Sequence, residues 1–190
     1  MREFIEDVKK AVQVMRDGGI ILYPTDTIWG IGCDASNSAA VRRIFELKQR
    51  SDSKSMLSLI DSDAKLGYYV PDIPDVAYDL MDLAEKPLTI IYDNVRHMAP
   101  ELIAEDGSAG IRVTKEAFSK ELCRRLGGAV VSTSANISGQ PSAANFSEIA
   151  DVIKQGVDYV VAYRQNEQTR AVASGIIKLG SGGLVKVIRE

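Results

Sequence analysis

Residues 127–136 have the sequence Gly-Gly-Ala-Val-Val-Ser-Thr-Ser-Ala-Asn, an apolar run that follows two glycines and ends in small polar residues. An apolar run bounded in this way predicts a buried strand. The loop after it offers hydroxyls, an amide and backbone N–H groups, which suit phosphate, ribose or a carboxylate. At the carboxyl end of a strand in an α/β sheet such a loop predicts a ligand site, and an ordinary serine-rich turn is the alternative.

Helix and strand patterns alternate along the rest of the chain, which predicts one α/β domain spanning residues 1–190, with an open mixed sheet and flanking helices. Gly180-Ser181-Gly182-Gly183 lies between two predicted strands and favours a hairpin turn over a phosphate loop. Apolar periodicity predicts helices over residues 5–15, 41–47, 76–83, 118–126 and 146–153, and strands at 20–23, 28–33, 56–60, 88–92, 110–113, 159–162, 175–179 and 184–188.

Composition excludes several classes of protein. The net charge of −3 and the pI of about 5.3 argue against a surface that attracts nucleic acid as a whole, so any anion site must be local. No apolar run is long enough to span a bilayer. The acidic first residues lack a signal-peptide core, and Cys33 and Cys123 have no disulfide or metal-ligand spacing. We therefore expect a cytoplasmic protein with reduced thiols.

A second polar motif, Tyr23-Pro24-Thr25-Asp26-Thr27, separates two predicted strands. Proline fixes its own φ and favours extended geometry in the residue before it. Two threonines and an aspartate then follow a strand end, as in the serine loop. A plain turn in which Asp26 caps the backbone is the alternative.

A third motif, Lys48-Gln49-Arg50-Ser51-Asp52-Ser53-Lys54, follows the apolar positions of a predicted helix. Lysine contributes a point charge and arginine a bidentate fork, and together they suit a polyphosphate. The alternative is that these cations only complement the carboxyl end of the helix. Taken alone, the motif favours that alternative, because charge runs are usually solvated.

Together these motifs resemble those of the YrdC family, the threonylcarbamoyl-AMP synthases, in the short bacterial form called TsaC. The resemblance runs from about Gly19 to the segment Ser174-Gly175-Ile176 and covers nearly the whole chain. It rests on the order and spacing of four motifs: Tyr-Pro-Thr-Asp-Thr with the later Gly30, Gly32 and Cys33; Lys48, Arg50 and Lys54; Arg112-Val113; and Ser132-Thr133-Ser134-Ala135-Asn136 with Ser138 and Gly139.

The resemblance implies an enzyme of the nucleotidyltransferase class, with an open twisted α/β sheet around a large cavity. Members of the family condense L-threonine, bicarbonate and ATP into threonylcarbamoyl-AMP and pyrophosphate. Other proteins then transfer the threonylcarbamoyl group to the adenosine beside the tRNA anticodon. Mg²⁺ is expected to arrive with ATP, and no protein side chain is expected to be a metal ligand. No membrane association is implied.

Residue roles also follow from the resemblance. Lys48, Arg50 and Lys54 match catalytic positions of the basic motif. Leu59 stands where some members have a histidine, so a direct contact with the substrate is lost there. The positions that match threonine contacts are Thr27, Arg112, Ser132 and Ser174, and those that match ATP contacts are Arg50, Lys54, Ser108, Ser134, Asn136, Ser142 and Arg189.

Two other functions stay open on the sequence. A non-catalytic module that binds tRNA or rRNA could place RNA phosphate against the predicted cations, and weak RNA binding is compatible with the synthase as well. The acidic pI and the scarcity of aromatic residues argue against it as the main function. A related carbamoyl-adenylate domain of hydrogenase-maturation proteins is the other alternative, but those domains normally lie in much longer chains.

Overall fold

The structure is a computed structural model, and it describes residues 4–49, 56–180 and 184–190. The strands within these ranges are β1 Ile21–Tyr23, β2 Gly30–Gly32, β3 Leu57–Ile60, β4 Leu88–Tyr92, β5 Ala109–Val113, β6 Val130–Ser134, β7 Tyr159–Val160, β8 Gly175–Leu179 and β9 Val185–Arg189. They form one mixed sheet in the order β7-β1-β2-β6-β3-β5-β4-β8-β9. The pairs β1/β7, β3/β5 and β4/β8 are parallel and the others are antiparallel.

Helices flank this sheet, and the longest of them bury one apolar face. Val8, Ala11, Val12 and Met15 of the first helix are buried, and this helix packs against the fifth one. Each large apolar side chain that is removed from water contributes about 1.5–3 kcal/mol. The helices are α1 Ile5–Arg16, α2 Ser38–Leu47, α3 Leu66–Tyr69, α4 Val76–Leu83, α5 Ala117–Leu126 and α6 Asp151–Gly156, with 3₁₀ turns at Asp63–Lys65, Pro100–Leu102 and Phe146–Glu148.

The sequence patterns predicted the α/β class and the mixed sheet, and both are confirmed. Asn37 caps α2 by accepting a hydrogen bond from the N–H of Ala40 at 3.1 Å. The predicted hairpin between β8 and β9 is present, since the two strands pair antiparallel and the N–H of Gly180 donates to the carbonyl of Leu184. Residues 181–183 of that turn lie outside the described residues.

Two local predictions were wrong. A single helix was predicted over residues 146–153, but a 3₁₀ turn ends at Glu148, and Ile149 and Ala150 are extended before α6 begins. The apolar spacing of Val76, Leu80 and Leu83 also predicts that these residues form the buried face of α4, yet Leu83 is 78% exposed. This helix is short and partly solvated, so apolar spacing alone did not identify the face that it buries.

None of the helices in the described ranges has both the length and the apolar character that a membrane span requires.

Gly32 lies where β2 passes under the ring of Tyr23, and we predict that Gly32→Ala destabilises the fold. A Cβ atom at this position would be 2.6 Å from the tyrosine ring and would also collide with the carbonyl of Val131. Overpacking of this kind costs about 1–3 kcal/mol. The free energy of unfolding in urea should fall by that amount. Gly67→Ala is the control, because no described atom outside the backbone of its own helix lies within 4 Å of the added atom. Equal urea midpoints for Gly32→Ala and the wild type would contradict the prediction.

Candidate active site

The loop between β1 and β2 is held in shape by its own hydroxyls. Thr25 Oγ1 accepts a hydrogen bond from the N–H of Thr27 at 3.0 Å and donates one to the carbonyl of Ile28 at 2.8 Å. Thr27 Oγ1 lies 3.0 Å from Thr25 Oγ1. Such local bonds are how threonine stabilises tight turns. They fix the direction of the Thr27 hydroxyl and of the Asp26 carboxylate between them.

Arg112 points from the middle of the sheet toward this loop. Its side chain is 2% exposed, and one terminal nitrogen lies 2.8 Å from Asp26 Oδ1. Longer contacts join the guanidinium to Thr27 Oγ1 at 3.4 Å and to Thr89 Oγ1 at 3.5 Å. Its Nε is buried and has no hydrogen-bond partner among the described residues. A buried donor without a partner is costly, and a ligand that supplies an acceptor relieves that cost.

Arg189 of β9 brings a second guanidinium to the same region. Its Nε donates to the carbonyl of Ser174 at 2.8 Å. The hydroxyl of Ser174 lies 2.9 Å from Thr89 Oγ1. Burial and the nearby charge of Arg112 lower the pKa of Arg189. Two cations whose fields overlap in a partly buried site favour an anionic ligand.

The serine loop after β6 is anchored from behind by Lys48. Its side chain is buried, and its ammonium donates to the carbonyls of Ser134 and Asn136, the latter at 2.6 Å. The carbonyl of Lys48 in turn accepts a hydrogen bond from the N–H of Ser138 at 2.9 Å. These bonds set the path of the loop. We therefore assign Lys48 a positioning role, whereas the family resemblance implied a catalytic position.

These elements enclose a polar cavity of about 250 Å³. Ser132, Ser134 and Ser142 offer hydroxyls to it, while Trp29 and Leu57 supply apolar walls. We call this space the polar cavity. The predicted site residues that line it are Thr27, Arg112, Ser132, Ser134, Ser142, Ser174 and Arg189.

A second cavity of about 280 Å³, the apolar cavity, adjoins the polar one and shares Leu57 and Ile176 with it. Its remaining walls include Leu102, Ile188 and the predicted ATP contact Ser108. The hydroxyl of Ser108 donates to Asp106 at 2.6 Å, so this residue lies in the cavity wall with its side chain already bonded. A flat, largely apolar ligand group would fit here.

The remaining predicted site residues are placed differently. Asn136 donates from its amide to the carbonyls of Ile137 and Gln140, while its Oδ1 is buried and has no hydrogen-bond partner among the described residues. Arg50 and Lys54, predicted as catalytic and ATP-contacting, lie outside the described residues. Leu59 is fully buried in β3 and is paired in register with Arg112.

Sequence reasoning missed two residues of the site. Asp26 received no role beyond the alternative of a backbone cap, because its ion-pair partner is far away in the chain. Thr89 was counted only as part of an apolar strand, although a single buried threonine in such a strand is itself a signal that a polar partner lies nearby.

Comparison with known proteins identifies relatives over almost the whole chain. The Sua5/YciO/YrdC family model, whose description is "Telomere recombination", matches residues 13–190. A threonylcarbamoyl-AMP synthase of Stenotrophomonas maltophilia (strain K279a) is 37% identical over 153 residues, which cover 78% of this chain and 81% of that protein.

Solved structures share the fold. A double variant of P. abyssi Sua5 superposes with a TM-score of 0.85 at 26% identity over 99% of this chain. P. abyssi Sua5 complexed with L-threonine gives a TM-score of 0.82 at 23% identity over 96% of this chain. This chain spans 58% and 53% of those two Sua5 chains.

Proposed function

Since this chain belongs to the Sua5/YciO/YrdC family, we propose that it is an L-threonylcarbamoyladenylate synthase. It condenses L-threonine, bicarbonate and ATP into threonylcarbamoyl-AMP and pyrophosphate, as a nucleotidyltransferase. The relatives that carry this name support the proposal, and so does the chemistry of the two adjoining cavities.

The buried guanidinium of Arg112 is the observation that carries the proposal. It lines the polar cavity, and its Nε–H has no partner among the described residues. A guanidinium edge with free donors matches a carboxylate, which it binds through two parallel N–H···O bonds. Arg112 therefore receives the carboxylate of threonine, with Thr27, Ser132 and Ser174 around it.

ATP extends across both cavities. The adenine ring occupies the apolar cavity, where Leu102, Ile176 and Ile188 face it and Ser108 forms part of the wall. The phosphates lie in the polar cavity near Ser134, Ser142 and Arg189. Arg50 and Lys54 stay predicted phosphate contacts.

The reaction requires positioning rather than a covalent enzyme intermediate. The ammonium group of threonine combines with bicarbonate to form a carbamate, with loss of water and one proton. A carbamate oxygen then attacks the α-phosphorus of ATP and expels pyrophosphate. Holding both substrates in one concavity supplies the entropic part of catalysis, and fixed cations stabilise the charge that develops at phosphorus.

Mg²⁺ is proposed to enter on the phosphates of ATP, where it neutralises the leaving pyrophosphate. The described residues hold no cluster of His, Cys, Asp or Glu that could bind a metal ion, so the ligands of this ion are proposed to be phosphate oxygens and water. Hard oxygen atoms are the ligands that Mg²⁺ prefers.

The product is labile, and we propose that partner proteins transfer its threonylcarbamoyl group to the adenosine beside the tRNA anticodon. A cytoplasmic location stays a prediction from the sequence. Direct RNA binding as the main function is disfavoured, because two of the cations assigned to RNA phosphate, Lys48 and Arg112, are buried and bonded inside the protein.

We predict that the purified protein releases pyrophosphate from Mg·ATP only when both L-threonine and bicarbonate are present. Each co-substrate is needed because the carbamate is the nucleophile. The measurement is a coupled pyrophosphate assay with each component omitted in turn, and L-valine replaces threonine as a control of similar shape. Equal release without threonine would show that the chain is not this synthase.

A further inference from the structure

Asp26 and Arg112 form a buried ion pair that separates two cavities. The two side chains are 10% and 2% exposed, and Asp26 Oδ1 lies 2.8 Å from the guanidinium. Arg112 lines the polar cavity. Asp26 lines a wider one of about 450 Å³, the wide cavity, which lies where β3 and β5 end. The pair is thus part of the partition between the substrate site and a second space that is open to solvent.

The contact between Asp26 and Arg112 is an ion pair, but it is not a bidentate salt bridge. Only one short contact joins the two groups, from a terminal nitrogen to Asp26 Oδ1 at 2.8 Å, and Arg112 Nε has no hydrogen-bond partner in the described chain. The hydroxyl contacts of Arg112 are long, at 3.4 and 3.5 Å. A bidentate arginine–carboxylate pair would make two short parallel bonds. The aspartate therefore holds the guanidinium in place by charge while N–H donors stay available for another carboxylate.

We infer that Asp26 is the positioning residue for Arg112, and that its carboxylate competes with the substrate carboxylate for the guanidinium, so that threonine binding draws a proton onto Asp26. This inference rests on the proposed function. It adds a residue that sets the affinity for threonine and its pH dependence without touching the substrate.

The charges around Asp26 favour its uptake of a proton. Burial raises the pKa of Asp26, the charge of Arg112 opposes that rise, and Glu116 at the start of α5 adds to it. The Tyr23 ring of β1 also lies within the electrostatic range of Asp26. The wall of the wide cavity adds further charges of both signs, from Asp61, Asp63, Asp82, Glu85, Lys86, Lys115 and Lys120.

A second carboxylate at Arg112 changes the balance of charges that sets the pKa of Asp26. Two buried carboxylates that share one cation repel each other, and one of them takes up a proton. The substrate carboxylate gains the unpaired N–H of Arg112, so Asp26 is the one that becomes neutral. The pKa of Asp26 therefore rises further when threonine binds. The proton reaches Asp26 through the wide cavity, on the side of the partition away from the substrate.

The sign of the pH effect follows from this linkage. The ordinary pKa of the group is 3.8, the pKa of Asp26 is raised above it, and threonine binding raises it further, so the range concerned runs from the pKa of Asp26 in the free protein to its pKa in the complex. Binding that takes up a proton weakens as the pH rises through this range. The dissociation constant for threonine should increase by up to about tenfold per pH unit there, the limit for one proton.

The experiment measures proton uptake and Asp26 titration in the same protein. Calorimetry of L-threonine binding at about pH 5 to 7, in buffers of different ionisation enthalpy, gives the number of protons bound. Carboxyl ¹³C NMR of aspartate-labelled protein gives the titration of Asp26, whose signal is assigned by its loss in Asp26→Asn. We expect net uptake of a proton and an upward shift of the Asp26 titration with threonine. In Asp26→Asn the uptake and the pH dependence of the dissociation constant should vanish, whereas Asp82→Asn, in the same cavity wall, should keep both.

The outcomes separate the inference from the function. Threonine binding with no proton uptake and an unshifted Asp26 overturns the inference and leaves the synthase intact. If the wild-type protein binds no threonine, alone or with ATP, the proposed function is wrong, and so is the inference that Asp26 competes with the threonine carboxylate for Arg112. If Asp26→Asn does not fold, the aspartate signal is assigned instead by its loss in Asp26→Glu, and calorimetry of the wild type that shows no proton uptake still overturns the inference.

Discussion

Arg112→Ala is expected to lower threonine-dependent pyrophosphate release by about 10³-fold. Truncating one partner of a buried charge pair costs about 2–5 kcal/mol, and each 1.4 kcal/mol corresponds to a factor of ten. The loss should appear mainly in kcat/KM for threonine, because the guanidinium binds its carboxylate. Steady-state kinetics with threonine varied at saturating ATP and bicarbonate is the measurement.

Two further variants make this result interpretable. Arg112→Ala also leaves Asp26 buried without its counter-ion, which costs about 3–5 kcal/mol of stability, so folding must be checked by circular dichroism. Arg112→Lys keeps a positive charge beside Asp26 but cannot form the bidentate pair, and it should fold and still bind threonine poorly. Arg124→Ala, on the solvent-exposed side of α5, is the matched arginine control. Activity of a folded Arg112→Ala within tenfold of wild type would remove Arg112 from the carboxylate site.

Lys48→Met is expected to damage both stability and ATP use. The ammonium of Lys48 bonds the carbonyls of Ser134 and Asn136 inside the protein, and hydrogen bonds to a charged group contribute about 1.5–3 kcal/mol each. The free energy of unfolding should therefore fall by about 3 kcal/mol or more. Displacement of the serine loop by about 1 Å should lower kcat by about 10²-fold.

A positioning role for Lys48 makes a prediction that a merely structural role does not. The Michaelis constant for ATP should rise while the dissociation constant for threonine in the absence of ATP stays near the wild-type value, since Arg112 is anchored separately by Asp26. Lys48→Arg should restore part of the activity, because it still donates to the carbonyls. Lys9→Met, on the exposed face of α1, is the control for loss of a lysine charge. Wild-type stability and turnover in Lys48→Met would rule out this role.

Much of the site could be predicted because its motifs are local. The glycine-bounded run before Ser132 and the Tyr-Pro-Thr-Asp-Thr motif each contain both a strand and the polar loop that ends it. A strand end and its loop stay together whatever the rest of the sheet does, so these residues could be assigned without knowing the topology. Arg112 required the family resemblance, since one arginine in a short apolar strand carries no local sign of its partner.

The parts that could not be predicted depend on distant contacts. Lys48 lies in a run of cations that indicates a solvated or phosphate-binding face, yet its ammonium is enclosed by a loop that is 86 to 88 residues away in the chain. The role of Asp26 depends in the same way on Arg112. The break at Ile149 and Ala150 could not be predicted either, because the apolar spacing of Phe146, Ile149 and Ile153 continues through it without interruption.

The pairing of β4 with β8 and of β2 with β6 has a consequence for how the chain acquires its activity. The contacts at the site join residues that are 85 positions apart, such as Thr89 with Ser174 and Thr27 with Arg112. Folds that depend on such distant pairings form slowly, because closing the long loops costs conformational entropy before the contacts that stabilise the fold can form. Early compact states therefore have helices and local turns but lack a complete cavity. During refolding, the recovery of threonine binding should coincide with the slowest phase, and it reports the completion of the sheet better than the return of helical circular dichroism.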